Sequence, residues 1–200
     1  MRRRIVLSWC ALLGVAALTT AAVVTDSEDV DALFLPGAGL DLVVAGSAEP
    51  GWTPDEEDWD QGRPSAYQIV LGDETSALDP GDSLTFRVAA RHGDQDLAAT
   101  VRIEITDPDP AGDATDALTG RRVELFDQLR IRVADAGTGQ VLIDAAPGSG
   151  ATARTYAWPD EWAPGESRLL DVTVTVPAEL GDAWQGAVTD LQIHFASESV

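Results

Sequence analysis

The sequence predicts an all-β fold, an antiparallel β-sandwich of the jelly-roll or immunoglobulin-like type, with about eight or nine strands and one short helix. Short runs of alternating apolar and polar residues recur along the chain, with turn residues between them. Two of the longest runs each follow a Pro-Gly turn. One stretch, residues 113–129, places its apolar side chains at helical spacing.

The N-terminus has the layout of an export signal. Arginines at residues 2–4 precede an uncharged run at residues 5–24. Thr20 and Ala22 are small residues that suit cleavage before Val23. An uncleaved membrane anchor is the alternative, because about 20 residues at about 1.5 Å each span a hydrocarbon core of about 30 Å. Both outcomes predict a secreted protein, extracellular or at the cell surface, that meets the membrane only through an uncleaved signal.

Cleavage divides the chain into a signal peptide, residues 1–22, and a single β-sandwich domain, residues 23–200, which is long enough for a hydrophobic core. The first part of that domain, residues 23–32, is polar and acidic, and we expect a flexible N-terminal arm. The one cysteine of the chain, Cys10, lies within the signal. Burial and β-pairing must therefore stabilise the domain without disulfides.

The first strand is predicted at residues 40–44. A long surface loop follows at residues 45–66, since this stretch is rich in Pro, Gly and acids and has no periodicity. Trp52 and Trp59 lie in it. Two such rings either hold the loop against the body of the domain or, beside carboxylates, form a surface that contacts a carbohydrate or another partner. The sequence leaves both interpretations open.

The later strands follow from alternation and turns. They are expected at residues 67–73; at Leu84, Phe86 and Val88 after Pro80-Gly81; at Val101, Ile103 and Ile105; on both sides of a hairpin turn at residues 137–139; at Leu170, Val172, Val174 and Val176 after Pro164-Gly165; and at Val188, Leu191, Ile193 and Phe195. In the helix candidate, Leu118, Val123, Phe126 and Leu129 nearly share a face, although Gly120 disfavours a helix.

The charge of the chain restricts its partners. Thirteen basic residues stand against 34 acids, for a net charge of −21. Loss of the three signal arginines against the same 34 acids makes −24 for the exported protein. Nucleic acid and anionic membrane surfaces need clustered positive charge, so we expect neither as a partner.

Three stretches carry a family resemblance: TDSEDVDALFLPGAGLDLVV behind the signal, LDPGDSLTFRVAARHGDQDLAATVRIEI, and APGESRLLDVTVTVPAEL. Together they resemble the TasA/camelysin group of secreted proteins with the SipW-type alternate signal, and actinobacterial exported proteins of that type are similar. A motif F-x-x-G-x-L-D-L is matched, with one extra residue before the leucine, by Phe34, Gly37, Leu40, Asp41 and Leu42. The resemblance implies a jelly-roll-like sandwich in the cell envelope or extracellular matrix. Some relatives form fibres and others are described as metallopeptidases.

The peptidase alternative needs a zinc site with about three protein ligands. The chain has two histidines, His92 and His194, and no H-E-x-x-H motif. A camelysin-like activity would require both imidazoles to meet a carboxylate at metal-bonding distance. A Ser-His-Asp triad would depend on the same two imidazoles, and no G-x-S-x-G motif is present.

Calcium is the more plausible ion, and the sequence predicts no other cofactor. The loop DPDPAGDATD gathers four carboxylates, which hard cations favour. It does not follow the EF-hand pattern, and a solvated acidic loop is the alternative. The candidate ligands are Asp107, Asp109, Asp113 and Asp116.

A third functional alternative is a carbohydrate-binding module that uses Trp52, Trp59, Trp158 or Trp162. For the last two we expect packing over the end of the core, because Pro159 and a spacing of four make a tight loop. Trp162→Ala should then lower the melting temperature.

The function that we favour from sequence is that of a structural protein of the envelope or matrix, acting by self-association, with fibres as one outcome, or by binding envelope components. The assembly element is predicted at residues 23–44, because a strand near a free end can pair with a neighbouring copy. Its apolar members are Phe34, Leu40, Leu42 and Val44. Salt or calcium should promote association by screening the negative charge.

Overall fold

The computed structural model describes residues 23–26, 42–61, 69, 78–93, 96–108, 125–180, 184 and 189–200. These residues form nine strands: β1 Val23–Asp26, β2 Leu42–Ser47, β3 Ser83–His92, β4 Ala99–Thr106, β5 Arg130–Asp135, β6 Val141–Ala145, β7 Thr155–Ala157, β8 Ser167–Thr175 and β9 Gln192–Ser199. Short 3-10 turns occur at Phe126–Gln128 and Ala151–Arg154. The predicted signal peptide and most of the predicted strand at residues 67–73 and of the helix candidate lie outside the described residues.

The strands form two sheets. One has the order β1-β9-β4-β7, and the other has the order β2-β3-β8-β5-β6. All pairs are antiparallel except that of β1 with β9, which is parallel and runs from Val23 opposite Gln192 to Asp26 opposite Phe195. The predicted antiparallel all-β sandwich is confirmed. β1 occupies the first four residues of the predicted N-terminal arm.

Alternation along the strands builds the core. The predicted apolar runs of β3, β4, β8 and β9 face inward, and the residues between them face outward. The buried members are Leu84, Phe86, Val88, Val101, Ile103, Ile105, Leu170, Val172, Val174, Leu191, Ile193 and Phe195. Since each strand contributes every second residue, the core lies between the two sheets.

Both predicted Pro-Gly turns are present. Gly81 and Gly165 have φ of +98° and +75°, in the region that glycine adopts without a steric penalty. The Gly81 N–H donates to the Val176 carbonyl at 2.8 Å, and the Gly165 N–H donates to the His92 carbonyl at 2.9 Å. The first turn therefore leads into β3 and bonds to the end of β8, and the second leads into β8 and bonds to the end of β3.

The predicted hairpin turn at residues 137–139 joins β5 and β6. The carboxylate of Asp135 accepts hydrogen bonds from the Thr138 N–H at 2.7 Å, the Thr138 hydroxyl at 2.8 Å and the Gly137 N–H at 3.1 Å. Partial burial works against ionisation of this carboxyl, but the bonds from Thr138 and Gly137, with the nearby charge of Arg168, hold the pKa of Asp135 below its ordinary value.

Gly46 in β2 lets a neighbour approach the strand closely. A Cβ at this position would stand 2.5 Å from Cδ1 and 2.9 Å from Cγ1 of Ile69, which is 5% exposed. Ile69 is the one described residue of the predicted strand at residues 67–73, and it packs in the core. The glycine in β2 is thus required by packing on the inner face of the sheet.

Candidate functional site

The loop that contains Trp158 and Trp162 connects the two sheets at one end of the sandwich. Trp162 exchanges two backbone hydrogen bonds with Ala99 at the start of β4, at 2.7 and 3.1 Å. A few residues later, the Glu166 carbonyl accepts a hydrogen bond from the His92 N–H of β3 at 2.9 Å. The loop is therefore bonded to the four-stranded sheet through Trp162 and to the five-stranded sheet through residues 165–166.

The two tryptophans differ in exposure. Trp162 is 0% exposed, whereas Trp158 is half-buried. Trp158 makes edge contacts with Trp162 and Tyr156, at centroid distances of 5.0 and 5.4 Å, and it stacks with Phe195 at 6.5 Å. The expectation that both rings pack over the end of the core holds in full for Trp162. Its ring is enclosed, so it has no surface for a ligand.

The two histidines lie on different sheets, and one faces the core whereas the other faces outward. His92 is 0% exposed and faces the core from the end of β3, where Nε2 donates to the Leu97 carbonyl oxygen at 2.9 Å because that oxygen can only accept. His194 lies opposite Glu104, next to the buried Phe195, and therefore points to the outer face of the four-stranded sheet. This geometry does not bring both imidazoles to one metal ion.

The candidate calcium loop is described only at its first member. Asp107 directly follows β4, and Asp109, Asp113 and Asp116 lie outside the described residues. Within the described ranges, no three His, Cys, Asp or Glu side chains are grouped to hold a metal ion. In the same part of the chain, no helix has the length and apolar character needed to cross a membrane.

Residues 52–60 lie against the outer face of the five-stranded sheet. Arg87 of β3 donates to the Trp52 carbonyl at 2.7 Å and pairs with Asp171 at 2.7 Å. Arg91, two positions further along β3, pairs with Glu56 at 3.0 Å and places its guanidinium 4.4 Å from the Trp59 ring centroid. Both tryptophans are half-buried. Within its described residues, the predicted loop is thus held against the body of the domain, and contact of these two tryptophans with a carbohydrate or another partner stays a prediction.

The candidate assembly residues fall into two groups. Leu42 and Val44 are each 1% exposed and face the core from β2, while Phe34 and Leu40 lie outside the described residues. Val44 also exchanges backbone hydrogen bonds with Asp60, at 2.8 and 2.9 Å, on the outer edge of β2. The side chains of Leu42 and Val44 and part of the β2 edge are thus already used within the molecule.

A groove of about 200 Å³ lies on the outer face of the four-stranded sheet. Its central residue, Arg102 of β4, stands in register between two small residues, Ala157 of β7 and Ala196 of β9. Thr100 and Glu198 form the next pair along the same two strands. Val101 and Trp158 complete the lining.

Of the described residues that line this groove, only Trp158 is a candidate binding residue from the sequence. The sequence feature that could have indicated the groove is a pair of alanines, Ala157 and Ala196, at outer-face strand positions. That signal acquires meaning only from a register that pairs residues far apart in the chain.

The chain matches no protein-family model and no curated protein sequence.

Proposed function

We propose that this chain is an exported structural protein of the cell envelope or extracellular matrix that acts by self-association through its N-terminal segment. The observation that carries the proposal is the parallel pairing of β1 with β9, at the edge of an otherwise antiparallel sheet. The predicted cleavage site lies directly before Val23, the first residue of β1. Cleavage would make this strand a free chain end.

An edge strand of four residues is suited to exchange between copies. The backbone hydrogen bonds that β1 makes with its own β9 are the same bonds that it can make with β9 of a second copy. Exchange of an identical element between identical chains therefore costs little interaction energy. Before cleavage, the signal holds this end at the membrane and opposes exchange.

The negative charge of the protein should make association depend on ionic strength. The exported protein carries −24, so copies repel one another at low ionic strength. The Debye length falls from about 30 Å at 0.01 M salt to about 10 Å at 0.1 M. Association should therefore rise with salt, and calcium should act at lower concentration than a monovalent salt. The TasA/camelysin resemblance points to the same kind of function.

Sedimentation velocity of the exported protein across a salt series tests the proposal. The comparison variant lacks residues 23–40 and begins at Asp41. We expect larger species for the full exported chain as salt rises and monomers for the variant, with both samples checked for a cooperative melting transition.

Two proline variants test whether association depends on backbone pairing of β1, without shortening the chain. Val24→Pro and Thr25→Pro each remove one backbone N–H, and at least one of these neighbouring donors points toward β9. Thr25→Val keeps the N–H and the branched shape, so it should associate like the unchanged chain. A strictly monomeric exported protein at every salt concentration, or identical sedimentation of the well-folded deletion variant, would contradict the proposal.

A further inference from the structure

The groove around Arg102 exists because the β7 side of the sheet ends early. β7 stops at Ala157, and the Trp158 N–H still donates to the Val101 carbonyl at 3.0 Å. The chain then leaves the sheet at residues 159–161 and returns only when Trp162 pairs with Ala99. Among the described residues, no strand residue therefore stands beside Thr100 on that side, and alanines flank Arg102 in register on both sides.

The two charged side chains of the groove are open to a ligand. Arg102 and Glu198 are exposed, and among the described residues neither forms an ion pair. By contrast, five other arginines of the described chain pair with a carboxylate. The Thr100 hydroxyl donates to the Glu198 carbonyl at 3.4 Å, which leaves its oxygen able to accept. The groove thus offers guanidinium donors, a carboxylate acceptor and a hydroxyl oxygen that can accept.

We propose that this groove binds one neutral pyranose unit of a saccharide. Vicinal sugar hydroxyls both donate and accept hydrogen bonds, so they match a guanidinium and a carboxylate placed on neighbouring rows of one sheet face. Ala157 and Ala196 provide a small apolar floor for the C–H face of a sugar ring. A volume of about 200 Å³ is below the range of roughly 300–1,000 Å³ for drug-sized ligands, and it suits a single ring.

The charge around the groove selects against acidic sugars. Glu198 lines it, and the adjoining loop carries the exposed residues Asp160 and Glu161. Arg102 is the one cation in the described lining, and it stands near these carboxylates in a protein of net charge −21. A uronate is therefore repelled, while a neutral sugar of the same shape is not.

The test is titration of the isotope-labelled exported protein, observed by amide and indole NMR, with methyl glucoside, methyl galactoside, N-acetylglucosamine and glucuronate as probes. We expect at least one neutral sugar to bind with a Kd on the order of 1 mM, as a ligand of this size allows. Shifts should concentrate at residues 100–102, 157–158 and 196–198. Glucuronate should bind at least tenfold more weakly at low salt.

Three variants make the test specific. Arg102→Gln removes the groove cation, and Ala157→Leu fills the groove from an exposed strand position; each should weaken binding at least tenfold. Arg132→Gln is the matched control, because Arg132 is also exposed, also lacks an ion pair in the described residues, and lies on β5 of the other sheet. It should bind like the unchanged protein.

Tighter binding of glucuronate than of any neutral sugar would overturn the inference. So would the absence of binding by all neutral probes, or shifts that centre on another surface. Equal affinity of well-folded Arg102→Gln, Ala157→Leu and unchanged proteins would also exclude this groove as the site.

Discussion

Replacement of Trp162 by alanine should cause a large loss of stability. The side chain is 0% exposed and packs edge-on against Trp158. Truncation removes about 150–200 Å² of buried apolar area, which is worth about 4–5 kcal/mol. The indole N–H is buried without a hydrogen-bond partner in the described residues. Removal of this unpaired donor should raise the free energy of unfolding by about 1 kcal/mol. The net loss is about 3–4 kcal/mol, or about 10 °C in melting temperature for a domain of this size.

Calorimetry of the chain from Val23 onward and of two further variants checks this magnitude. Trp162→Phe keeps an aromatic ring in the core and removes the unpaired N–H. Its loss in free energy of unfolding should therefore be less than half that of Trp162→Ala. Trp158→Ala should also lose less, because Trp158 is only half-buried. A Trp162→Ala protein that melts within about 2 °C of the unchanged protein would refute the view that this ring anchors the end of the core.

Three further changes test other parts of the fold. Gly46→Ala should destabilise by about 1–3 kcal/mol because its Cβ would meet Ile69 at 2.5 Å, whereas Gly150→Ala, with open space around it, should be neutral by the same melting assay. The pKa of Asp135 is lowered in the folded protein, so its hydrogen-bonded carboxylate stabilises the fold at neutral pH. This stabilisation is lost as the pH falls and the carboxylate becomes protonated. The difference in free energy of unfolding between the unchanged protein and Asp135→Asn should therefore narrow below about pH 4. Arg91→Gln should speed proteolytic cleavage within residues 52–60 while changing global stability by about 1 kcal/mol or less, since its ion pair lies at the surface.

The strands could be predicted because the signal for them is local. Val101, Ile103 and Ile105 alternate with polar residues, and any strand with that pattern buries one face. Turn chemistry placed Gly81 and Gly165 in the same way, since Pro-Gly sequences specify the turn within four residues. The pairing of the strands could not be predicted in this way. β4 pairs with β9 about 90 residues later, and nothing in either segment alone identifies the other.

The candidate surfaces were less accessible to sequence reasoning for the same reason. The burial of Trp162 followed from a local loop pattern, and it was predicted correctly. The groove depends on Ala157 and Ala196 standing beside Arg102, which is a property of two registers. Likewise, the placement of His92 inside and His194 outside depends on which face each strand turns to the core.

The proposed assembly edge and the proposed sugar site share β9 but use different parts of it. β1 pairs through the backbone of residues 192–195, on the edge of β9 that faces away from β4. The groove uses the side chains of Ala196 and Glu198 on the outer face, toward β4 and β7. Backbone pairing at an edge leaves the outer face of a sheet open. A protein assembled through β1 therefore still presents one sugar groove per copy, and such an array would bind a polysaccharide far more tightly than a single groove does, because each further contact is intramolecular.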